Sequence, residues 1–392
     1  SLNDPASLRI LEQNYEYDLM SPEKMMEKYI GKNLRLIQKS EEGHYAEVEA
    51  KLLSMNNGPV YQIGEDIYLS HPGNVVLPKV PADLIAKPTL IWKLMNGGTD
   101  HTVEATYLTG GLSWRADYVV QYDEKANSLD LEGWVTLTNQ SGAYYRDAQL
   151  KLVAGEVNVV QENRMYKSMA RGAPMAEMAI ADMGMQEESF AEYHLYTLPR
   201  RTTIKNNQTK QVSLLSGKNA TVNKIYEYRG QTHFYASRMP QFEPEKVSAY
   251  LTFKNEEENQ LGMPLPAGIM RVYQEDSSGA LQFSGEDSIK HTPKDEEIRL
   301  KLGKAFDIVA ERKQMNYQPL GINVHESTFE ITIRNHKEQA VTVDVVEPFS
   351  GKWRVTASSH KHIKKDAFTG VFSLDVPADG ESVLEYTVRI EY

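Results

Sequence analysis

Tyr107-Leu-Thr-Gly-Gly-Leu-Ser-Trp-Arg-Ala-Asp-Tyr118, Gly133-Trp-Val-Thr-Leu-Thr-Asn139 and Gln149-Leu-Lys-Leu-Val-Ala-Gly-Glu-Val-Asn158 are three β-rich runs separated by Gly, Asn and Ser. Trp114, Ala116, Tyr118, Val120 and Tyr122 recur at every second position, which places them on one face of a strand. Gly110-Gly111 ahead of them reads as a turn, because neither the Lys nor the helical pattern of a phosphate loop follows. Gly111-Leu-Ser113-Trp-Arg115 is no nucleophile elbow, since Arg115 stands where the second Gly would be needed. The stretch is a meander of strands.

Its middle run recurs. Val135-Thr-Leu-Thr-Asn139, Leu251-Thr-Phe-Lys-Asn255 and Ile331-Thr-Ile-Arg-Asn335 share the order apolar, Thr, apolar, polar, Asn. Each reads as a strand with one apolar face, ended by an Asn whose side chain closes the turn. A further strand follows each, at 149–153, 268–273 and 341–346, and a polar turn then leads into another at 206–214, 293–300 and 377–386. Short strands at this spacing predict β-sandwiches. Trp114 and Trp134, on or beside these strands, are expected to be structural.

Working outward, Ser21-Pro-Glu-Lys-Met-Met-Glu-Lys-Tyr-Ile30 predicts a helix, with Ser21 as cap, Pro22 at the first position and Gly31 as stop. Short strands follow, with Asn56-Asn-Gly58 as a hairpin turn. A helix before about four short strands suggests a barrel of the Sm or SH3 kind, and Pro72, Pro78, Pro81 and Pro88 suggest an extended linker over 71–99. The expected fold class is mainly β and multidomain: a small helix-plus-barrel N-terminal domain, then tandem β-sandwich units of immunoglobulin or fibronectin type. The expected domains are 1–98 (helix, barrel and proline-rich linker), 99–240 (first sandwich), 241–318 (second sandwich) and 319–392 (C-terminal immunoglobulin-like unit).

Composition narrows the function classes. Of 392 residues, 41% are hydrophobic, enough for sizeable cores, and Tyr (22) outnumbers Phe (10), as suits half-buried strand faces. A net charge of −11 with no basic stripe excludes a protein that tracks a nucleic-acid backbone. With no cysteine, disulfide and thiolate chemistry are excluded. No apolar run is long enough to span a membrane as a helix. His360 and His362, two apart on a strand, share a face, but Lys361, Lys364 and Lys365 crowd them with positive charge, so no metal site is expected. No catalytic residue and no cofactor are assigned.

One segment breaks the β pattern. Residues 161–192 hold six of the fifteen methionines among Ala, Gly and acidic residues, an excursion within the first sandwich. Two readings compete for it: a mobile tether whose Ala, Gly and Met content avoids structure, or a short helix from Pro174 to Phe190 on a partner-docking arm. Met175, Met178, Met183 and Met185 are the candidate partner-binding residues, because flexible thioethers adapt to varied apolar surfaces.

Several runs together resemble a known family: Glu12-Gln-Asn-Tyr-Glu-Tyr-Asp18, Lys28-Tyr-Ile-Gly31, His71-Pro-Gly73, Tyr107-Leu-Thr-Gly-Gly-Leu-Ser-Trp114, Gly133-Trp-Val-Thr-Leu137, Leu152-Val-Ala-Gly-Glu-Val-Asn158, Tyr193-His-Leu-Tyr-Thr-Leu198 and Pro264-Leu-Pro-Ala-Gly268. It is the bacterial family of domain of unknown function 4139, distantly similar to mucoidy-inhibitor-type proteins. The resemblance implies an exported protein, periplasmic or envelope-associated, with β-rich domains and a removed signal segment. Ser1 in place of Met suits that expectation. The resemblance brings no reaction and no site residue. The expected function is therefore a non-enzymatic cell-envelope protein that binds a protein or glycan partner. The alternative is a hydrolase of envelope polymers, its carboxylates meeting at a domain interface.

Overall fold

The structure, a computed structural model, describes residues 8–16, 18–39, 44–71, 73–87, 89–98, 100–155, 184–239 and 242–392. The chain divides into two compact units, 1–108 and 109–392.

The first unit runs β1 (Leu8–Glu16), α1 (Pro22–Glu27), β2 (Asn33–Lys39), β3 (Tyr45–Ser54), β4 (Val60–Ile63), β5 (Asp66–Tyr68), β6 (Asn74–Val76) and β7 (Thr89–Asn96). The Ser21 Oγ accepts the Lys24 N–H at 3.1 Å and Pro22 opens α1, as the sequence predicts. The strands form an antiparallel sheet in the order β5-β4-β3-β2-β6 over a core of Tyr29, Leu34, Leu36, Ala50, Leu52 and Tyr61. This sheet is open, which corrects the expected barrel. Its edge strands β5 and β6 have three residues each, too few to pair round into a cylinder. The expected linker is corrected too: it contains β6 and β7, and β7 pairs with β1 as a two-stranded ribbon.

The second unit continues with β8 (Leu112–Asp123), β9 (Ser128–Asn139), β10 (Tyr145–Ala148), β11 (Lys151–Ala154), β12 (Gln186–Phe190), β13 (Tyr193–Thr197), β14 (Thr202–Ile204) and β15 (Gln208–Arg229). It ends with β16 (Glu245–Lys254), β17 (Gly268–Glu275), β18 (Leu281–Ile289), β19 (Glu297–Pro319), β20 (Val324–Asn335), β21 (Val341–Pro348), β22 (Lys352–Ser358), β23 (His362–Asp366), β24 (Thr369–Val376) and β25 (Gly380–Glu391). Most join one branched sheet, whose main path is β18-β17-β8-β9-β15-β16-β19-β20-β25-β22. The mainly β, multidomain layout read from the sequence is present.

This sheet serves two cores. Tyr118, Leu131, Val135, Tyr196, Leu214 and Met270 belong to the first, and Trp114 packs half-buried against it. Phe329, Ile331, Val345, Phe372, Leu384 and Val388 belong to the second. In the second, β20-β25-β22 face β21-β24-β23, with the rings of Phe372 and Tyr386 stacked 5.0 Å apart. The stretch 241–318 divides between the two: Leu251, Phe253, Ile298 and Leu300 enter the first core, and Val247, Ala249, Ile308 and Ala310 the second.

The three repeated asparagines are fully buried and equivalently bonded. Asn139 Nδ2 donates to the carbonyls of Ala143 (2.9 Å) and Lys205 (3.0 Å), and its Oδ1 accepts from Ser141 N–H (3.0 Å). Asn255 does the same with Met263 and Pro293 (both 2.9 Å) and Gly262 N–H (3.0 Å). Asn335 does so with Gln339 and Pro377 (both 2.9 Å) and Lys337 N–H (3.0 Å). In each case the second carbonyl lies two residues before a left-handed turn residue: Asn207 (φ +53°), Asp295 (φ +66°) or Asp379 (φ +43°). Asn and Asp are the side chains that tolerate this conformation best. The strand beyond that turn then pairs with the strand the asparagine ends, as in Asn139↔Gln208, Lys254↔Glu297 and Asn335↔Gly380. Only an amide supplies two donors and an acceptor from one short side chain.

Asn335→Ala should therefore strand two carbonyls and one N–H, at a cost of about 3 kcal/mol or more. Asn335→Asp should cost nearly as much, because a carboxylate cannot donate to either carbonyl. Urea denaturation checks both; a loss below about 1 kcal/mol for either would contradict the assignment.

Candidate functional site

Two concavities flank residues 255–263, the connection after β16. Asn255 fixes its start as described, and Asn259 fixes its middle. Asn259 Nδ2 donates to the Lys254 carbonyl at 2.9 Å, and its Oδ1 accepts the Thr221 N–H at 3.1 Å. The connection turns through Gln260 (φ +54°) and Gly262 (φ +95°). At Gly217 of β15 a Cβ would lie 2.4 Å from Leu261 Cδ2, so glycine is what lets Leu261 seat on the strand.

On one side of this connection is a cleft of mixed character, about 260 Å³, in which Met185, Leu214, Leu215, Leu261, Met263 and Leu265 are joined by Ser216, Asn255 and Gln260. On the other is a polar groove of about 590 Å³, walled by Thr221, Asn223, Thr252, Glu256, Glu258 and Glu297. Strand pairing sets the groove floor: Asn223 lies opposite Thr252, and Lys254 opposite Glu297. Lys254 Nζ reaches Glu256 at 2.7 Å.

Of the methionines singled out in the sequence, Met185 is 3% exposed, in the first core and on the cleft wall. Its backbone N–H donates to the Leu214 carbonyl at 3.0 Å. A Cβ at the preceding Gly184 would lie 2.8 Å from that same oxygen, so the chain passes β15 closely there. Met175, Met178 and Met183 lie outside the described residues. The helical alternative over 174–190 is corrected at its end, because 186–190 is strand β12. Pairing with β13 through a turn with Ala191 at φ +53° overrides the helical preference.

Three carboxylates outside the lining of the two concavities are held below their ordinary range. Burial would raise the Glu227 carboxyl, but hydrogen bonds from Arg299 (2.7 Å) and Arg229 (3.0 Å) outweigh it and hold it below the ordinary range. Glu124 is similar: burial opposes its charge, and Lys224 and Gln274 hold it down. Asp276 is lowered chiefly by the Ser278 hydroxyl within its hairpin turn. A general acid needs a raised carboxyl, the opposite direction. Among the described residues, no group of three or more His, Asp or Glu could hold a metal ion.

A buried charged cluster also escaped the sequence reading. Arg312 Nη2 donates to Glu347 Oε1 at 2.5 Å, with both side chains fully buried. The Tyr235 hydroxyl donates to Glu347 Oε2, and Arg312 reaches the hydroxyls of Tyr228 (3.3 Å) and Tyr386 (3.4 Å). Burial pushes the Tyr235 and Tyr386 hydroxyls well above their usual range. Burial opposes the charge on Arg312 as well, yet Glu347 and these phenols hold it firmly protonated. A Cβ on Gly230 would lie 2.0 Å from Glu347 Oε2, so this position must be glycine. The cluster lines neither cavity, and it serves as a polar lock inside the second core. Its sequence signal was parity: Arg312 follows Ile308 and Ala310, and Glu347 follows Val343 and Val345, at inward positions.

Compared with known proteins, the family described as Domain of unknown function (DUF4139) matches residues 103–392. No curated protein and no solved structure matches the chain.

The lowered carboxyls carry a pH dependence. Glu227 has a folded pKa below its ordinary 4.5, so its contribution to stability is present above that pH and is lost as pH falls through the folded value. Glu227→Gln should therefore flatten the decline of stability below about pH 4.5, read as urea midpoints between neutral and acid pH. An unchanged acid slope would show that the Arg229 and Arg299 contacts do not stabilise the fold.

Proposed function

The chain belongs to the family Domain of unknown function (DUF4139), and on that footing we propose that it is a non-enzymatic binding protein that takes an extended polypeptide segment around residues 255–263. The supporting observation is the pairing of a cleft that offers Leu and Met side chains with a polar groove, on either side of one connection that two buried asparagines hold in place. Such a site anchors an apolar side chain on one side and reads polar or basic groups on the other, with little ordering cost on the protein's part. A glycan is the less suited ligand. Sugar rings favour open aromatic faces, and Tyr250, on the strand that floors the groove, is covered by the Arg299 guanidinium 4.0 Å from its ring centre. An exported, envelope-associated bacterial location belongs to the same proposal. It draws on the family resemblance and on a cysteine-free composition that suits an oxidising compartment.

A random-peptide display selection tests the reading. It should enrich sequences with an apolar anchor flanked by Lys or Arg, and Glu258→Lys with Glu297→Lys should weaken the selected peptides by about tenfold or more, since each pair lost is worth about 1 kcal/mol. Enrichment of no sequence, together with retention on a glycan array, would replace this reading with a carbohydrate-binding one.

A further inference from the structure

The C-terminal sandwich carries a basic edge. Between Lys352 and Phe368 there are five Lys and Arg (Lys352, Arg354, Lys361, Lys364, Lys365) and a single acid, Asp366, in a protein of net charge −11. These residues lie on β22 and β23, the edge strands of the two facing sheets, and on the connection between them. Among the described residues Arg354 and Lys361 have no ion-pair partner, and Lys352 meets Glu391 only at 3.9 Å. The same hairpin presents two apolar side chains to solvent: Phe368 at its tip, 59% exposed, and Ile363 on β23, 68% exposed.

The tip is held outward. The Trp353 indole N–H donates to the Ala367 carbonyl at 2.8 Å, the Phe349 N–H donates to the Phe368 carbonyl at 2.6 Å, and Asp366 accepts the Phe368 N–H at 2.7 Å. The backbone on both sides of Phe368 is therefore fixed while its ring remains in water. Trp353 itself packs against Phe349, and Lys364 Nζ lies 5.0 Å from its ring centre.

Lysine on an edge strand ordinarily protects against edge-to-edge pairing. That role accounts for one or two charges. It does not account for exposed Phe and Ile in the same hairpin, which invite the association that edge charges prevent. Cations flanking rigidly presented apolar side chains suit an anionic bilayer: the charges meet headgroups, and the apolar tip enters the boundary with the acyl chains.

We propose that the β23–β24 hairpin, with the facing edge of β22, docks on an anionic lipid surface. This docking is independent of the peptide-binding site, and each can fail without the other.

Because the chain has no cysteine, Phe368→Cys gives a single labelling site for an environment-sensitive fluorophore. The probe is a vesicle of phosphatidylcholine with about 30% phosphatidylglycerol, at low salt, against vesicles of phosphatidylcholine alone. The labelled protein should co-float with the anionic vesicles only, with a blue shift of the label, and should be released by high salt. In the unlabelled protein, Lys361→Glu and Lys365→Glu combined should lower partitioning at least about 25-fold, since each cation near such a surface is worth about a factor of five. Phe368→Ser should lower it several-fold, and all variants should keep the parent's unfolding temperature. Two results would overturn the proposal: no co-flotation with anionic vesicles, or equal retention on soluble polyphosphate with no shift of the label and no effect of Phe368→Ser. The second would leave the patch as a nonspecific cationic edge.

Discussion

Three strands of the second unit, β15, β16 and β19, belong to two hydrophobic cores each, and the rest of its architecture depends on this. β15 has 22 residues and β19 has 23, against about five or six for an ordinary strand. β15 pairs with β9 up to Thr221, then with β16 from Val222 and with β21 from Tyr226. β19 pairs with β16 up to Ala310 and with β20 from Ile308. A flat strand could not serve both partners, since a sandwich needs its sheets twisted and offset. Bulges supply the turn. In β15 the register shifts between Gly217 and Ala220, with Asn219 at φ +55° and its N–H taken by Asp130 Oδ1. In β19 the stretch between Lys304 and Val309 bulges against β16, close to where β20 joins. Each handover is thus a local excess of residues that re-aims a strand without ending it.

The three buried asparagines make the strands long enough for this role. Each ties the end of one strand to the turn that launches its neighbour, so that turn's position is set by side-chain hydrogen bonds. Two of the three launched strands are β15 and β19; the third is β25, which completes the C-terminal sandwich. The candidate binding site follows from the second of these ties. Asn255 carries the longest connection before its Oδ1 is satisfied, reaching Gly262 where Asn139 and Asn335 reach only two residues on. The extra residues form the wall between cleft and groove.

Much of this was legible. The period-two burial of β9 follows its apolar pattern, and the Asn-ended strands could be aligned by eye. Of the runs that carried the family resemblance, those at 133–137, 152–154, 193–198 and 264–268 turn out to help build the first core. Tyr118 donates to the Pro266 carbonyl (2.8 Å) and Tyr196 to the Pro264 carbonyl (2.7 Å), and a Cβ at Gly268 would sit 2.4 Å from Ala116 O. They are packing constraints, which explains why they indicate a fold and no reaction. The shared cores were not legible, because Gly217-Lys-Asn219 reads as a turn between strands and only tertiary pairing shows it to be a bulge. The site was not legible either. Its walls come from residues near 185, 214–223, 255–265 and 297, which no local pattern joins.

If strands shared between cores are what unify residues 109–392, the two cores cannot melt separately. Differential scanning calorimetry of that fragment, followed in parallel by the fluorescence of Trp114 and Trp134 near the first core and Trp353 in the second, is the direct measurement. The shared strands predict one transition, with equal calorimetric and van't Hoff enthalpies and coincident probes. Two resolved transitions, with the Trp353 signal separate from that of Trp114, would show that β15 and β19 merely connect independent domains.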